Sequence, residues 1–314
     1  MIYRYMGKSG LQLSEISLGS WFFGEQVNES QVYDLLHLAY DKGINFFDTA
    51  DKYGGKGEAE RLIGRGIKDL PREALVIATK VFSPMDPGPN GRGLSRKHIM
   101  EACNASLKRL DIGYIDIYFC HSFDKEVTHY EIVRAMDDLI HQGKVLYWGT
   151  SNWPSKEIRQ AYELASKNGF YLPCVEQAEY SMLVREKIED ELENLVKELG
   201  IGLVTYGPLN SGLLTGKYNN GIPKGTRYEF REWLHPVLTD EKKLQKVRTL
   251  SEIADRIKLP LPQLAIAWLL RKPWITSVIT GVSKTEQIEE NMGALDAFKA
   301  LSDEILLEID QILS

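Results

Sequence analysis

The chain predicts an α/β fold closed into a (β/α)8 barrel of the TIM-barrel class. An N-terminal β-hairpin plug and extra C-terminal helices complete a single domain over residues 1–314. Three observations carry this reading. Apolar, β-rich runs occur eight times, at residues 16–19, 44–47, 75–79, 114–120, 145–149, 174–176, 202–206 and 277–280. Nearly every interval between them holds a helical pattern, and strand–helix alternation builds a parallel sheet. Several runs are apolar on consecutive residues, as strands covered on both faces are. An open doubly wound sheet would need a Gly-rich phosphate loop after its first strand. The nearest strings, GGKG at 54–57 and GRG at 64–66, follow the second strand with the wrong spacing. Eight units therefore point to closure.

The elements follow in order. Residues 3–13 read as two short strands around a Gly-containing turn, placed to plug the barrel bottom. Asn28 caps the first helix, with Gln31 three positions on and Lys42-Gly43 at its end. Ser95 opens a second helix, and Pro154 sits where a first helical residue belongs. A helix over 185–199 stops at Gly200, and Pro262 opens another. Residues 82–94 hold three Pro and three Gly and form a loop after the third strand. The interval from 202 to 277 is roughly twice the others and contains a long polar stretch, a candidate functional loop. Helices fill 283–313.

Composition excludes several classes. With 38 Lys+Arg against 44 Asp+Glu the net charge is −6, and 43% of residues are hydrophobic. A mildly acidic body of this kind disfavours nonspecific nucleic-acid and anionic-membrane binding. The longest apolar run, 264–270, falls far short of the ~20 residues that span a bilayer. The N-terminus has no apolar signal core, so a cytoplasmic location is expected. Cys103, Cys120 and Cys174 are too scattered for a disulfide framework or a metal knuckle, and no HExxH occurs; no metal is expected. Nothing in the sequence fixes the oligomeric state.

Barrel enzymes carry their chemistry where strands end at the C-terminal face. The polar residues terminating the successive runs are Asp48, Lys80, His121, Ser151-Asn152, Gln177 and Tyr206, with Gly281 and Ser283 after the eighth. Tyr53 follows Asp48 closely. A lysine ammonium near Tyr53 would lower the phenol's pKa, and an aspartate would keep that lysine charged and oriented. Such a phenol can protonate a carbonyl oxygen while hydride arrives at carbon, with an imidazole fixing the oxygen. Each residue alone has a plainer explanation, a rim salt bridge or a capped turn. Their coincidence at consecutive strand ends is what points to a reaction centre.

The motifs GINFFDTADKYG (43–54), IATKVF (77–82), GRGLSRKHI (91–99), SLKRLDIGYIDIYFCH (106–121), GKVLYWGTSNW (143–153), EQAEYSML (176–183), TYGPLNSGLLTGKY (205–218) and GVSKTEQIEEN (281–291) follow in sequence. Together they resemble the aldo-keto reductases, and within them the branch of bacterial reductases and potassium-channel β subunits. The resemblance implies a catalytic tetrad of Tyr53, Asp48, Lys80 and His121, with Tyr53 as general acid in an NADPH-dependent reduction of aldehydes or ketones. It implies that Ser151, Asn152 and Gln177 hold the carboxamide of NADPH/NADP+ and that Tyr206 stacks on its ring. Gly207, Pro208, Leu209, Ser211, Leu213, Gly216 and Lys217 would follow the pyrophosphate, clamped by Arg227. Gly281, Ser283, Gln287, Glu290 and Asn291 would take the adenosine end. The resemblance further implies that Gly19, Ser20 and Trp21 border the site and that Trp21 and Phe22, with Tyr53 and His121, line the substrate pocket, to which the loop 82–94 is expected to add.

Two departures bear on function. Many members have Arg where Gln287 stands, which leaves Ser283, Lys284 and Gln287 to recognise a 2′-phosphate and moderates NADPH preference. Channel β subunits usually carry Asn at the place of His121, and some carry a long N-terminal extension; both differences favour an ordinary soluble reductase. A cofactor-sensing subunit docked on another protein is the alternative reading. A Schiff-base aldolase using Lys80 is a third, disfavoured by the Asp and Tyr around that lysine.

Overall fold

A computed structural model describes residues 1–224, 226, 228 and 240–313. Strands β1 (Tyr3–Tyr5) and β2 (Gln12–Ser14) pair antiparallel. Eight parallel strands then close a barrel: β3 (Ile16–Gly19), β4 (Phe46–Asp48), β5 (Val76–Val81), β6 (Ile115–Cys120), β7 (Val145–Ser151), β8 (Val175–Glu179), β9 (Gly202–Tyr206) and β10 (Ser277–Gly281), with β10 pairing β3. The expected barrel and hairpin are both present.

The hairpin sits as a plug because of two apolar residues. Met6 and Leu13 are fully buried and pack with Phe46, Val76, Ala78, Ile117, Phe119, Val175, Val204 and Ile279 inside the barrel. Full burial of two such side chains stabilises the closed bottom by about 1.5–3 kcal/mol each. The Arg4 guanidinium fastens the hairpin from outside, donating to the carbonyls of Leu270, Lys272 and Ile275 and to Glu15. A second, larger core lies between the strands and the surrounding helices.

Helix punctuation follows the chemistry of the caps. Asn28 accepts from the Gln31 N–H while the Gln31 side chain accepts from the Asn28 N–H, starting helix Glu29–Asp41. Ser95 accepts from the His98 N–H and starts Arg96–Leu110. Pro154 precedes rather than opens Ser155–Asn168, since its extended φ/ψ makes it the cap residue. The helix expected over 185–199 is instead a π-helical stretch, Lys187–Leu192, running into Glu193–Leu199. Among the described residues, the long interval before β10 holds a short 3-10 stretch, Asn210–Thr215, and the helices Glu241–Arg256 and Leu261–Leu270. Helices Thr285–Met292, Ala294–Ala297 and Asp303–Leu313 close the chain. No helix among the described residues is long and apolar enough to cross a membrane.

Candidate active site

Strand pleating puts alternate residues on the barrel interior. Val76, Ala78 and Lys80 stack up β5, Phe46 and Asp48 up β4, and Ile117 and Phe119 lead to His121 beyond β6. Val175, Gln177 and Glu179 do the same on β8, and Val204 and Tyr206 on β9. The lower members are apolar and close the core. The upper members are polar and meet at the C-terminal mouth.

There the Lys80 ammonium, wholly buried, donates to Asp48 Oδ2 at 2.6 Å and to the Thr49 carbonyl at 2.7 Å. Gln177 Nε2 donates to the other carboxylate oxygen of Asp48 at 2.9 Å. Asp48 is thus fixed from two sides, one oxygen on Lys80 and the other on Gln177. The Tyr53 ring stands above, its centroid 5.0 Å from Lys80 Nζ. Trp21 meets Tyr53 edge-on at 5.1 Å and His121 does so at 5.9 Å. Asp48, Tyr53, Lys80 and His121 are brought together as the sequence implies.

The electrostatics differ from that expectation at Tyr53. Burial raises its phenol well above the ordinary tyrosine range, and the charge of Asp48 adds to the rise. Lys80 makes its hydrogen bonds to Asp48 and Thr49 rather than to the phenol, and its charge does not outweigh the burial of the ring. Tyr53 is a fully protonated acid at neutral pH. Burial likewise draws Lys80 below its usual value, against the pull of Asp48. Burial, then Lys80, then Lys52 push His121 down to about 2, so its imidazole is neutral. His121 Nδ1 is buried with no hydrogen-bond partner among the described residues.

A cavity of about 490 Å³ runs from this cluster across the barrel top. Gly19, Ser20, Trp21, Phe22, Asp48, Tyr53 and His121 line it, together with Ser151, Asn152, Gln177 and Tyr206. Gly207, Pro208, Leu209, Ser211 and Lys217 also line it, and so do Gln287, Glu290, Asn291 and Gly281, the last paired with Gly19 across β10 and β3. Asn152 adopts a left-handed backbone (φ 56°) that asparagine tolerates, and its Oδ1 accepts from the Tyr206 hydroxyl at 3.3 Å. Gly281 leaves room for Phe22, whose ring would lie 3.1 Å from an added Cβ. Gln287 Oε1 accepts from the backbone N–H groups of Ser283 (2.7 Å) and Lys284 (3.2 Å), pinning the turn into helix Thr285–Met292.

Some expected contacts fall elsewhere. Leu213 is buried in the outer core, Gly216 ends the 3-10 stretch, and Ser283 is held by Gln287; none lines the cavity. The loop 82–94 does not line it either, because Asp124 Oδ2 draws the Leu94 N–H away at 2.8 Å. Arg227 lies outside the described residues. Sequence reading missed Gln26, Lys52, Ser122, Glu179, Gly212, Thr215, Ile279 and Thr280. Glu179 could have been found: β8 runs three residues past the expected end at Glu176, and the alternation then brings Glu179 above Gln177.

The model of the family described as "Aldo/keto reductase family" matches residues 15–314. This chain belongs to the aldo/keto reductase family. Family members are in general NADPH-dependent oxidoreductases, which supports an oxidoreductase here. Among its aldo/keto reductase relatives is a protein of Arabidopsis thaliana named "Probable voltage-gated potassium channel subunit beta". The two are 43% identical over 320 residues, covering 100% of this chain and 97% of the relative.

Proposed function

We propose that this protein reduces aldehydes or ketones to alcohols with NADPH, Tyr53 acting as general acid. The observation that carries the reading is a buried Asp48–Lys80 pair beneath a protonated Tyr53 and a neutral His121, opening into one cavity at the barrel mouth. The cavity's donor chemistry fits NADPH. Ser151, Asn152 and Gln177 offer hydroxyl and amide groups for a carboxamide, and Tyr206 offers a flat ring beside them. Beyond these, the segment 207–217 turns through left-handed residues at Gly207, Asn210, Ser211, Gly212 and Gly216, the kind of backbone that forms anion-receiving concavities. Lys217 adds a cation for a diphosphate. Gln287, which lines the cavity and pins the turn at Ser283 and Lys284, is our candidate for meeting a 2′-phosphate.

When bound, NADPH supplies the hydride for the carbonyl carbon. The residues do the rest. His121 donates through Nε2 to the substrate oxygen and orients it. Tyr53 passes its phenolic proton to that oxygen as negative charge grows there, and the alcohol forms. The phenolate left behind lies near the Lys80 ammonium, which compensates its charge in a site with little water. Asp48 holds Lys80 protonated and aimed, and Gln177 holds Asp48. In the reverse direction the phenolate is the base.

A steady-state panel of aldehydes, ketones and keto acids, run with NADPH and NADH side by side, tests the proposal. Turnover of several carbonyls with NADPH favoured is expected; no turnover of any with either nucleotide would overturn it. A second reading, a nucleotide-sensing subunit docked on another protein, is favoured by the similarity to the Arabidopsis protein over the whole chain. Tight NADPH binding, very slow single-turnover hydride transfer and a partner that copurifies would support that reading instead.

A further inference from the structure

We propose that Lys52 makes the substrate end of this site selective for carbonyl compounds that also carry a carboxylate. The inference rests on the reductase reading and narrows its substrate class. Lys52 lies in the tight turn that closes β4, where the Tyr53 N–H donates to the Ala50 carbonyl at 3.2 Å. It is adjacent in sequence to the acid and lines the same cavity, together with Trp21, Gln26, His121 and Ser122.

The charges around that end are unbalanced. Among the cavity's carboxylates, Asp48 is bound to Lys80 and Gln177. Glu179 pairs with Tyr206 across β8 and β9 and lies against Gly207, and Glu290 belongs to helix Thr285–Met292. No carboxylate among the described residues forms an ion pair with the Lys52 ammonium, while His121 next to it is neutral. Nor is the cation remote from the reacting groups: its field helps push down both His121 and Lys80. Lys52 is exposed, so it keeps its hydration until a ligand arrives. Gln26 and Ser122 add neutral donors. One ammonium with neutral donors suits a single negative charge, and the aromatic walls Trp21 and Phe22 suit the body between that charge and the carbonyl.

The experiment compares 4-carboxybenzaldehyde with methyl 4-formylbenzoate, which keeps the shape and removes the charge. The ratio of their kcat/KM values with NADPH is measured for the parent chain, Lys52→Met, Lys52→Arg and Lys52→Glu. A parent ratio above one should fall about two- to fivefold in Lys52→Met, mostly through KM, in keeping with an exposed pair. Lys52→Arg should hold it, Lys52→Glu should invert it, and added salt should shrink it. A ratio that ignores residue 52 overturns the proposal while leaving the reductase intact. Calorimetric titration of 4-(hydroxymethyl)benzoate into the NADP+-loaded protein separates the other failure. Lys52-dependent binding without turnover of either aldehyde would sink the reductase reading and keep the carboxylate site. Absence of such binding would sink the site.

Discussion

Replacing Asp48 by Asn tests the electrostatic foundation of the site. Asp48 and Lys80 are both buried, and their contact of 2.6 Å is the principal compensation for the Lys80 charge. Breaking such a pair by neutralising one partner costs about 3–5 kcal/mol, because the other charge stays buried. At roughly 2.1 cal/mol/K of unfolding entropy per residue, 314 residues give about 0.66 kcal/mol/K. Each kcal/mol then moves Tm by about 1.5 °C, and the substitution should lower Tm by about 5–8 °C. The double variant Asp48→Asn/Lys80→Met removes both charges with little change of volume, and it should recover at least half of that loss. Burial already lowers the Lys80 pKa, so the single variant can shed the lysine proton. Its deficit should therefore shrink as pH rises from 7 to 9. Scanning calorimetry of the parent, both single variants and the double variant measures this. An unchanged Tm in Asp48→Asn, or a double variant no more stable than that single variant, would refute the reasoning.

Two further predictions concern pH. Burial, and then the charge of Glu60, raises Asp51 from 3.8 to about 7 in the folded chain. A group raised on folding contributes stability that is present below its unfolded pKa and lost as pH rises through the folded one. At 1.36 kcal/mol per pH unit the loss approaches about 4 kcal/mol, so Asp51→Asn should gain Tm over the parent progressively from about pH 4 to pH 7 and level off above it. A difference that does not vary with pH would contradict the assignment. With His121 pushed down to about 2, kcat/KM should show no imidazole ionisation between pH 5 and 9. A break near pH 6.5 that disappears in His121→Gln would show the ring to be charged.

Much of this site is legible in the sequence for a simple reason. A parallel barrel strand is apolar until it reaches the mouth, so the first polar residue on its interior face marks the site. That logic finds Asp48, Lys80, His121, Gln177 and Tyr206 without coordinates. It stumbles where a strand continues through polar residues, as β8 does from Glu176 to Glu179. Glu176 faces outward, accepts from the Thr150 hydroxyl and is raised by burial to about 8, a structural role that its position in the motif does not reveal. Loop contributions such as Gln26, Lys52 and Thr215 follow no period and emerge only when the turns are folded. The π-helical stretch Lys187–Leu192 has an ordinary helical pattern, and its widening has no sequence mark. The acidity of Tyr53 is the subtlest case. The sequence supplies the neighbouring cation, but depth of burial and the direction of the Lys80 bonds belong to the packed barrel.

The central claim is that Tyr53 delivers the proton in carbonyl reduction while contributing little to nucleotide affinity. Single-turnover stopped flow, following NADPH absorbance after mixing loaded protein with 4-nitrobenzaldehyde, measures it directly in Tyr53→Phe. The hydride-transfer rate should fall by at least 10³-fold, within the upper part of the ~10²–10⁴-fold range for general acids, while NADPH affinity stays within about twofold. Hydride transfer at the parent rate in Tyr53→Phe would contradict the account.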